Sequence, residues 1–278
     1  LDADAPAAIA WLGVTEQGNF LDPHAPQPGL NVLQDRGPRP TPEVRERVRA
    51  TLLQAREERP RPALDDKRLT SWNALMVSAL ADAGAALEGE AGLQYLAAAT
   101  ACVEFLLRDM RDPDGRLLRT YNDGRARIVA YLEDHAFLLE ALIVLFEGTC
   151  EERWLDAATE LADEMIARFA DPERGGFFST AADGEQLIAR RKDLEDSPIP
   201  AGASSAALGL LRLSQLTGNR EHAYQAESVL RLLNEIAPRH PTSFGHLLQA
   251  MHWSLTPARP IACAVTTGST GSGRAPTA

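Results

Sequence analysis

Helices that are apolar on every side alternate in this chain with helices that are apolar on one side only. The periodicity predicts eight helices, at Pro42–Glu58, Ser71–Leu87, Gly92–Met110, Tyr131–Glu147, Glu151–Phe169, Pro200–Leu216, Arg220–Ile236 and Pro241–Ser254. Pro42–Glu58 is charged and amphipathic, Ser71–Leu87 is apolar almost all round, and Gly92–Met110 is amphipathic again. Tyr131–Glu147, "YLEDHAFLLEALIVLFE", is nearly all apolar beyond its first turn, whereas Glu151–Phe169 sets acids between Leu155, Ala158, Leu161, Met165 and Ile166. A helix apolar all round must be covered on all sides, and a one-faced helix lies against water. The alternation therefore requires an inner layer of helices wrapped by an outer one, an all-α fold.

The sequence repeats itself in step with this alternation. "YLAAA" (Tyr95–Ala99) matches "WLDAA" (Trp154–Ala158), and "RDPDGRLLRT" from Arg111 matches "ADPERGGFFST" from Ala170. Repeats of this kind mark helical hairpins stacked side by side. Links from inner to outer helix are tight, as in "EGTCEE" and "TGNR"; links from outer to inner are long, at Arg111–Ala130 and Asp171–Ile199. Short β pieces are expected near Arg116–Tyr121 and Phe177–Thr180. Long links in a compact domain tend to carry function, and here they gather at the end where inner helices begin. The expected division is an irregular lead-in over 1–40, a helical-hairpin domain over 41–255, and a disordered, Thr/Gly/Ser-rich tail over 256–278.

Composition narrows the classes of function. The formal net charge of -11 argues against a nucleic-acid binder and against an anionic membrane surface. The longest apolar run, "ALIVLF", is too short to span a bilayer. Three cysteines, Cys102, Cys150 and Cys263, without a CxxC, fit a reducing, cytoplasmic setting and give no zinc site. No cofactor fingerprint is present: the glycines of "DPERGGFF" form turns, with no strand–helix unit behind them. The chain opens at Leu1 rather than Met, which reads as a fragment or as a start lying upstream.

Polar residues cluster where inner helices start. Asp65, Asp66, Lys67, Trp72 and Asn73 stand at the mouth of Ser71–Leu87; Arg119, Tyr121, Asn122 and Asp123 precede Tyr131–Glu147, which opens with Glu133, Asp134 and His135. Arg190, Arg191, Lys192, Asp193 and Asp196 precede the next inner helix, and His240 and His246 flank the last. Parallel inner helices would bring these groups to one end of a central cavity. A rim of carboxylates, Arg, Trp and Tyr suits a polyhydroxylated ligand, whose hydroxyls need mixed donors and acceptors and whose apolar face stacks on an aromatic ring. A plainer reading stands beside each: Glu133 and Asp134 could offset helix dipoles, Asp65 and Asp66 could cap, Trp72 could pack in the core, and Arg191 and Lys192 could be solvated.

A family resemblance rests on "WLGVTEQGNF" (Trp11–Phe20), "DDKRLTSWNALM" (Asp65–Met76), "YLEDHAFLLEAL" (Tyr131–Leu142), "DPERGGFFSTAAD" (Asp171–Asp183) and "PIPAGASSAAL" (Pro198–Leu208). These segments resemble thioredoxin-domain-containing proteins of the spermatogenesis-associated protein twenty type and their bacterial relatives, up to about Pro260. The resemblance implies an N-terminal thioredoxin-like domain followed by an (α/α)6 toroid, similar to N-acylglucosamine 2-epimerases and six-hairpin glycosidases. The thioredoxin-like domain and the first hairpins are absent here. The family's Pro-Ser-Gly-Asn-Ser stands as Pro200-Ala201-Gly202-Ala203-Ser204, and His135 replaces a family Tyr. The expectation is a carbohydrate-active domain, a sugar epimerase/isomerase or glycosidase-like enzyme, with Glu133, Asp134 and Asp65 or Asp66 as acid/base carboxylates. Trp72, Asn73, Lys67, Arg119, Tyr121, His135 and Arg191 would hold the sugar, with no metal or cofactor. Epimerisation by proton transfer would use histidines, of which His135, His240 and His246 are placed for it. The rival expectations are a non-catalytic sugar- or protein-binding module acting with a thioredoxin-like domain, and a pure helical-repeat scaffold. Eight helices against the twelve of a closed ring predict a partial toroid that self-associates and turns over weakly.

Overall fold

The computed structural model describes residues 1–24, 27–184 and 188–256; the tail expected to be disordered lies outside the described residues from Pro257 onward. The chain divides into two compact units, Leu1–Asp65 and Asp66–Ala278.

The first unit is less irregular than its Pro and Gly content suggests. It holds helices α1 (Ala5–Leu12) and α2 (Pro42–Glu57) around a small core of Ala8, Trp11 and Val48. The Trp11 indole donates to Asp35 at 2.8 Å. Within "WLGVTEQGNF", Gly18 takes φ +86 beside the backbone of Leu30, where a Cβ would sit 2.5 Å from the Leu30 carbonyl oxygen. Asn19 donates to the carbonyls of Gly13 and Val32 and accepts from the Val32 N–H. The motif is thus the clasp of a loop.

The second unit carries the alternation. Its helices are α3 (Thr70–Ala86), α4 (Gly89–Asp109), α5 (Leu132–Thr149), α6 (Glu152–Phe169), α7 (Gly202–Thr217), α8 (Arg220–Leu233) and α9 (Gly245–Leu255). The apolar helices α3, α5, α7 and α9 pack side by side in chain order, and α4, α6 and α8 lie on them as the outer layer. Helix α5 is the centre of the core, with Phe137, Leu138, Leu139, Leu142, Ile143 and Leu145 fully buried. Helix α7 is built of small residues so that its backbone can close on α5: a Cβ on Gly202 would lie 3.0 Å from the Glu133 nitrogen, and one on Gly209 would lie 3.0 Å from the Leu139 side chain. The expected helix bounds agree with these to within a few residues.

The β content is larger than expected at one link and smaller at the other. Strands β1 (Arg68–Leu69), β2 (Leu118–Asn122) and β3 (Arg125–Val129) form an antiparallel sheet in that order. Leu118 pairs with Val129 and Asn122 with Arg125 around the Asp123-Gly124 turn, both of whose residues have positive φ, as a tight hairpin requires. Phe177–Thr180 contributes only a single bridge, Ala170 to Phe177.

Candidate functional site

The inner helices do start at one end, and carboxylates tie their starts together. Asp134, in the first turn of α5, is fully buried. Its Oδ1 accepts from the Ser71 N–H at 3.0 Å, and its Oδ2 accepts from the Tyr131 N–H and from Arg119 Nη1, both at 2.9 Å. Ser71 is the second residue of α3, so a residue of α5 caps a neighbouring helix as well as reaching back to its own. Every one of these groups can only donate, so both oxygens are acceptors. Burial pushes the Asp134 carboxyl above its ordinary range, and Arg119 and the Tyr131 amide work against that push. Burial disfavours the Arg119 charge, yet Asp134 and Glu133 hold its affinity for the proton above the usual value. Arg119 also meets Glu133 at 2.7 Å and lies 4.7 Å from the centre of the Tyr131 ring.

Asp196, on the link before α7, repeats the device. Its Oδ1 accepts from the Ala201 N–H at 2.8 Å; its Oδ2 accepts from His246 N–H at 2.8 Å and Leu247 N–H at 3.2 Å. His246 and Leu247 are the second and third residues of α9, whose own preceding residue, Phe244, supplies no side-chain cap. Asp196 is therefore the cap of α9, delivered from another element.

Below the mouth, one face of α5 carries Glu133, Glu140 and Glu147, two helical turns apart and each paired with a base from elsewhere. Glu133 meets Arg119; Glu140 Oε1 meets His246 Nε2 at 2.9 Å, across α7; Glu147 meets Arg212 of α7 at 2.7 Å. The middle pair is the one whose base is an imidazole. Burial works against the His246 charge, and Glu140, aided by Asp196, outweighs it and raises the imidazole above its ordinary value, with Arg212 opposing. The two side chains remain 18% and 14% exposed, enough for a small molecule to touch.

Several expected site residues have other duties. The ring of His135 is buried between α5 and α6, with Nδ1 3.1 Å from the Tyr131 carbonyl oxygen and its plane edge-on to Phe169 at 5.0 Å. Its Nε2 lies 3.5 Å from Glu164, outside hydrogen-bond geometry. It therefore faces the outer layer, since position 135 shares its stripe of the helix with Leu139 and Leu142. Asn73 donates to the Leu69 carbonyl and is approached by the Cys102 thiol, which turns it toward α4. Tyr121 packs edge-on against Phe105 at 5.2 Å, with the Arg68 guanidinium 5.4 Å from its ring centre. Asp66 accepts from Asn122 at 2.7 Å. Trp72 is 62% exposed, so it is not core. Lys67 and Arg191 are exposed, and the Arg191 carbonyl accepts from Ser179, whose own carbonyl takes the Leu132 N–H of α5. Asp65 is the exposed last residue of the first unit, and the cluster described here is built from the second unit alone. Lys192, expected at the rim, is bound to Asp171 at 2.7 Å, which holds the Asp171 carboxyl down to about 2.

Glu140 and Arg212 were not among the expected site residues, and Asp196 was expected only as one of the polar residues that precede α7. Glu140 had a signal, being a lone acid in the middle of an otherwise apolar helix, where a charge needs a partner. No helix among the described residues is long and apolar enough to cross a membrane.

Residues 55–186 match the family model described as N-acylglucosamine 2-epimerase (GlcNAc 2-epimerase). Spermatogenesis-associated protein 20 of Mus musculus is 35% identical over 264 residues, a match covering 86% of this chain and 33% of that protein. The Homo sapiens protein of the same name gives the same identity over the same length. The chain thus spans 33% of the length of these curated relatives. Among solved structures, cellobiose 2-epimerase from Spirochaeta thermophila superposes with a TM-score of 0.51 at 19% identity, over 62% of this chain and 44% of that one. That likeness shows the fold, the (α/α)6 toroid of epimerases and glycosidases. The chain therefore carries an N-acylglucosamine 2-epimerase-like segment on a helical toroid fold, and over most of its length it is similar to a third of spermatogenesis-associated protein 20.

Proposed function

We propose that the helical unit acts on a carbohydrate by proton transfer at a carbon beside a carbonyl, the chemistry of a sugar epimerase or isomerase, with His246 as the proton carrier. The observation that carries this reading is the His246–Glu140 pair. With Nε2 donating to Glu140, Nδ1 is the nitrogen that holds the lone pair. Nδ1 takes the proton from the sugar carbon, the C–H electron pair moves to form an enediolate, and the new imidazolium is balanced by Glu140. Returning the proton to the opposite face of the same carbon, once the enediolate has turned that face to the ring, gives the epimer; returning it to the neighbouring carbon, with the hydroxyl proton passing between the two oxygens, gives the isomer; either regenerates the neutral ring. A base whose affinity for protons lies near the working pH is the efficient choice.

The glycosidase-like version is less well supported. It needs one carboxylic acid and one carboxylate facing a glycosidic bond, and Asp134 has both oxygens committed to N–H donors. The test is a thermal-shift screen of mono- and disaccharides, since a ligand that binds only the folded state raises its melting point. Hits are then followed by NMR for uptake of solvent deuterium at carbon. The expected result is exchange that His246→Asn abolishes while binding persists. No stabilising sugar, or exchange unchanged in His246→Asn, would overturn it.

A second reading, a non-catalytic binding module that associates with another helical surface or with itself, is favoured by one feature. Trp72 and Met76, one turn apart on α3, are 62% and 57% exposed. Concentration-dependent sedimentation that Trp72→Ser and Met76→Ser together remove would support it.

A further inference from the structure

We infer that Asp196 is the positioning residue for His246: its carboxylate fixes both where the imidazole stands and what charge it faces. The inference rests on the proposed role of His246. It starts from geometry. A single Oδ2 takes two consecutive N–H groups of the first turn of α9, those of His246 and Leu247, at 2.8 and 3.2 Å. The other oxygen is anchored on Ala201 N–H at 2.8 Å, at the start of α7. Because the His246 amide is itself one of the two caught groups, the backbone that bears the imidazole cannot shift without breaking a charge-assisted bond. The ring then has one place to reach, Glu140 on α5, and it reaches it at 2.9 Å.

The charged groups that act on His246 come from three places. Glu140 comes from α5, Asp196 from the link before α7, and Arg212 from α7, itself bound to Glu147. Glu140 and Asp196 favour the imidazolium and Arg212 disfavours it. Asp196 differs from the other two in acting on the main chain as well as on the charge. It is also part of the long link that begins at Asp171, whose neighbouring residue Asp193 is held by Ser179 at 2.8 Å.

The two effects separate by substitution. Asp196→Ala removes the charge and both acceptor oxygens, and with them the cap; Asp196→Asn removes the charge but keeps a carbonyl oxygen at the same reach, which can still accept from the α9 amides. The experiment follows the full chain labelled with 13C-histidine, the His246 signal being identified by its loss in His246→Asn. In Asp196→Ala the His246 titration midpoint falls, and exchange of the His246 and Leu247 amides speeds up roughly tenfold, the size of a lost cap. In Asp196→Asn the midpoint falls and amide exchange stays nearer that of the parent. Glu140→Gln, run beside them, lowers the midpoint and leaves the amides unchanged. A midpoint that stays at the parent value in both Asp196 variants overturns the inference, as does amide exchange unaltered in Asp196→Ala. Should Asp196→Ala not fold, Asp196→Asn alone decides through its midpoint. None of these readouts needs a substrate, so failure of the sugar chemistry in His246→Asn and failure of the Asp196 coupling appear in different measurements.

Discussion

Asp134 and Glu140 stand six residues apart on one helix, and the surroundings give them opposite work. Asp134 is sealed, with three N–H donors from α3, the residue before α5 and β2 closing both its oxygens. Glu140 has a single imidazole partner and a margin of solvent. The first arrangement stores order, because each donor lost leaves another group buried without a partner. The second can change its protonation without dismantling the fold. Carboxylates at the mouth of a helical ring are therefore not equivalent candidates for acid/base work, and the number of donors already committed separates them.

The sharpest way to break this comparison is Asp134→Ala. It leaves the Arg119 charge with Glu133 alone and opens the cap of α3, so urea unfolding should show a loss of about 3–5 kcal/mol, the usual cost of removing one side of a buried pair. A loss below about 1 kcal/mol would make the mouth as soft as the Glu140 pair. Next in size is Gly202→Ala, whose new Cβ would sit 3.0 Å from the Glu133 nitrogen. The contact is backbone on both sides, so α7 must back away from α5, at about 1–3 kcal/mol by the same measurement.

Glu140→Gln keeps an acceptor oxygen for the His246 imidazole, so it should cost only about 1 kcal/mol, and it should show chiefly in pH dependence. The folded His246 is raised above its ordinary value. Its contribution is thus fully present below about pH 6.5, the ordinary histidine midpoint, and is lost as pH rises through the folded midpoint. The parent protein should lose stability relative to Glu140→Gln over that rise, and two parallel pH–stability curves would contradict the pairing. The smallest effect belongs to Trp72→Ala. Its ring is mostly in water, so stability should stay within about 0.5 kcal/mol, while affinity for any sugar found in the screen falls if Trp72 stacks it.

The order of the helices from α2 onward and their approximate bounds were legible in the sequence, because apolar periodicity and turn residues are local signals, whereas α1 was read as part of an irregular lead-in. The orientation of Asp134 was legible in part: sharing a face with Leu138 and Ala141 does bury it, but among N–H donors that take up both its oxygens. The direction of the His135 ring was not legible, because position in a first turn says nothing of which way a ring turns; Phe169 and Glu164, on the next helix, lie against it. Strands β1 and β3 escaped notice because two- and five-residue strands with charged, half-exposed residues have no alternation to read. The Glu140–His246 bond joins residues 106 positions apart, a separation that no local signal reaches, and a Cβ on Gly209 of α7 would lie 3.4 Å from the Glu140 side chain.

Capping by a neighbour has a consequence for how such a ring can be assembled. The amide of Ser71 on α3 is closed by α5, and those of His246 and Leu247 on α9 by the link that leads into α7. Neither α3 nor α9 draws this cap from its own sequence, so the hairpin α3–α4 cut out as a peptide would fray at its first turn. Stability in stacked helical repeats is usually divided between each repeat and its contacts with the next. Here part of the intrinsic term has been moved into the contact, which lowers the stability of each hairpin alone and raises the penalty for leaving one out. A chain wired in this way should melt as one cooperative block across α3 to α9 rather than shedding hairpins from its ends.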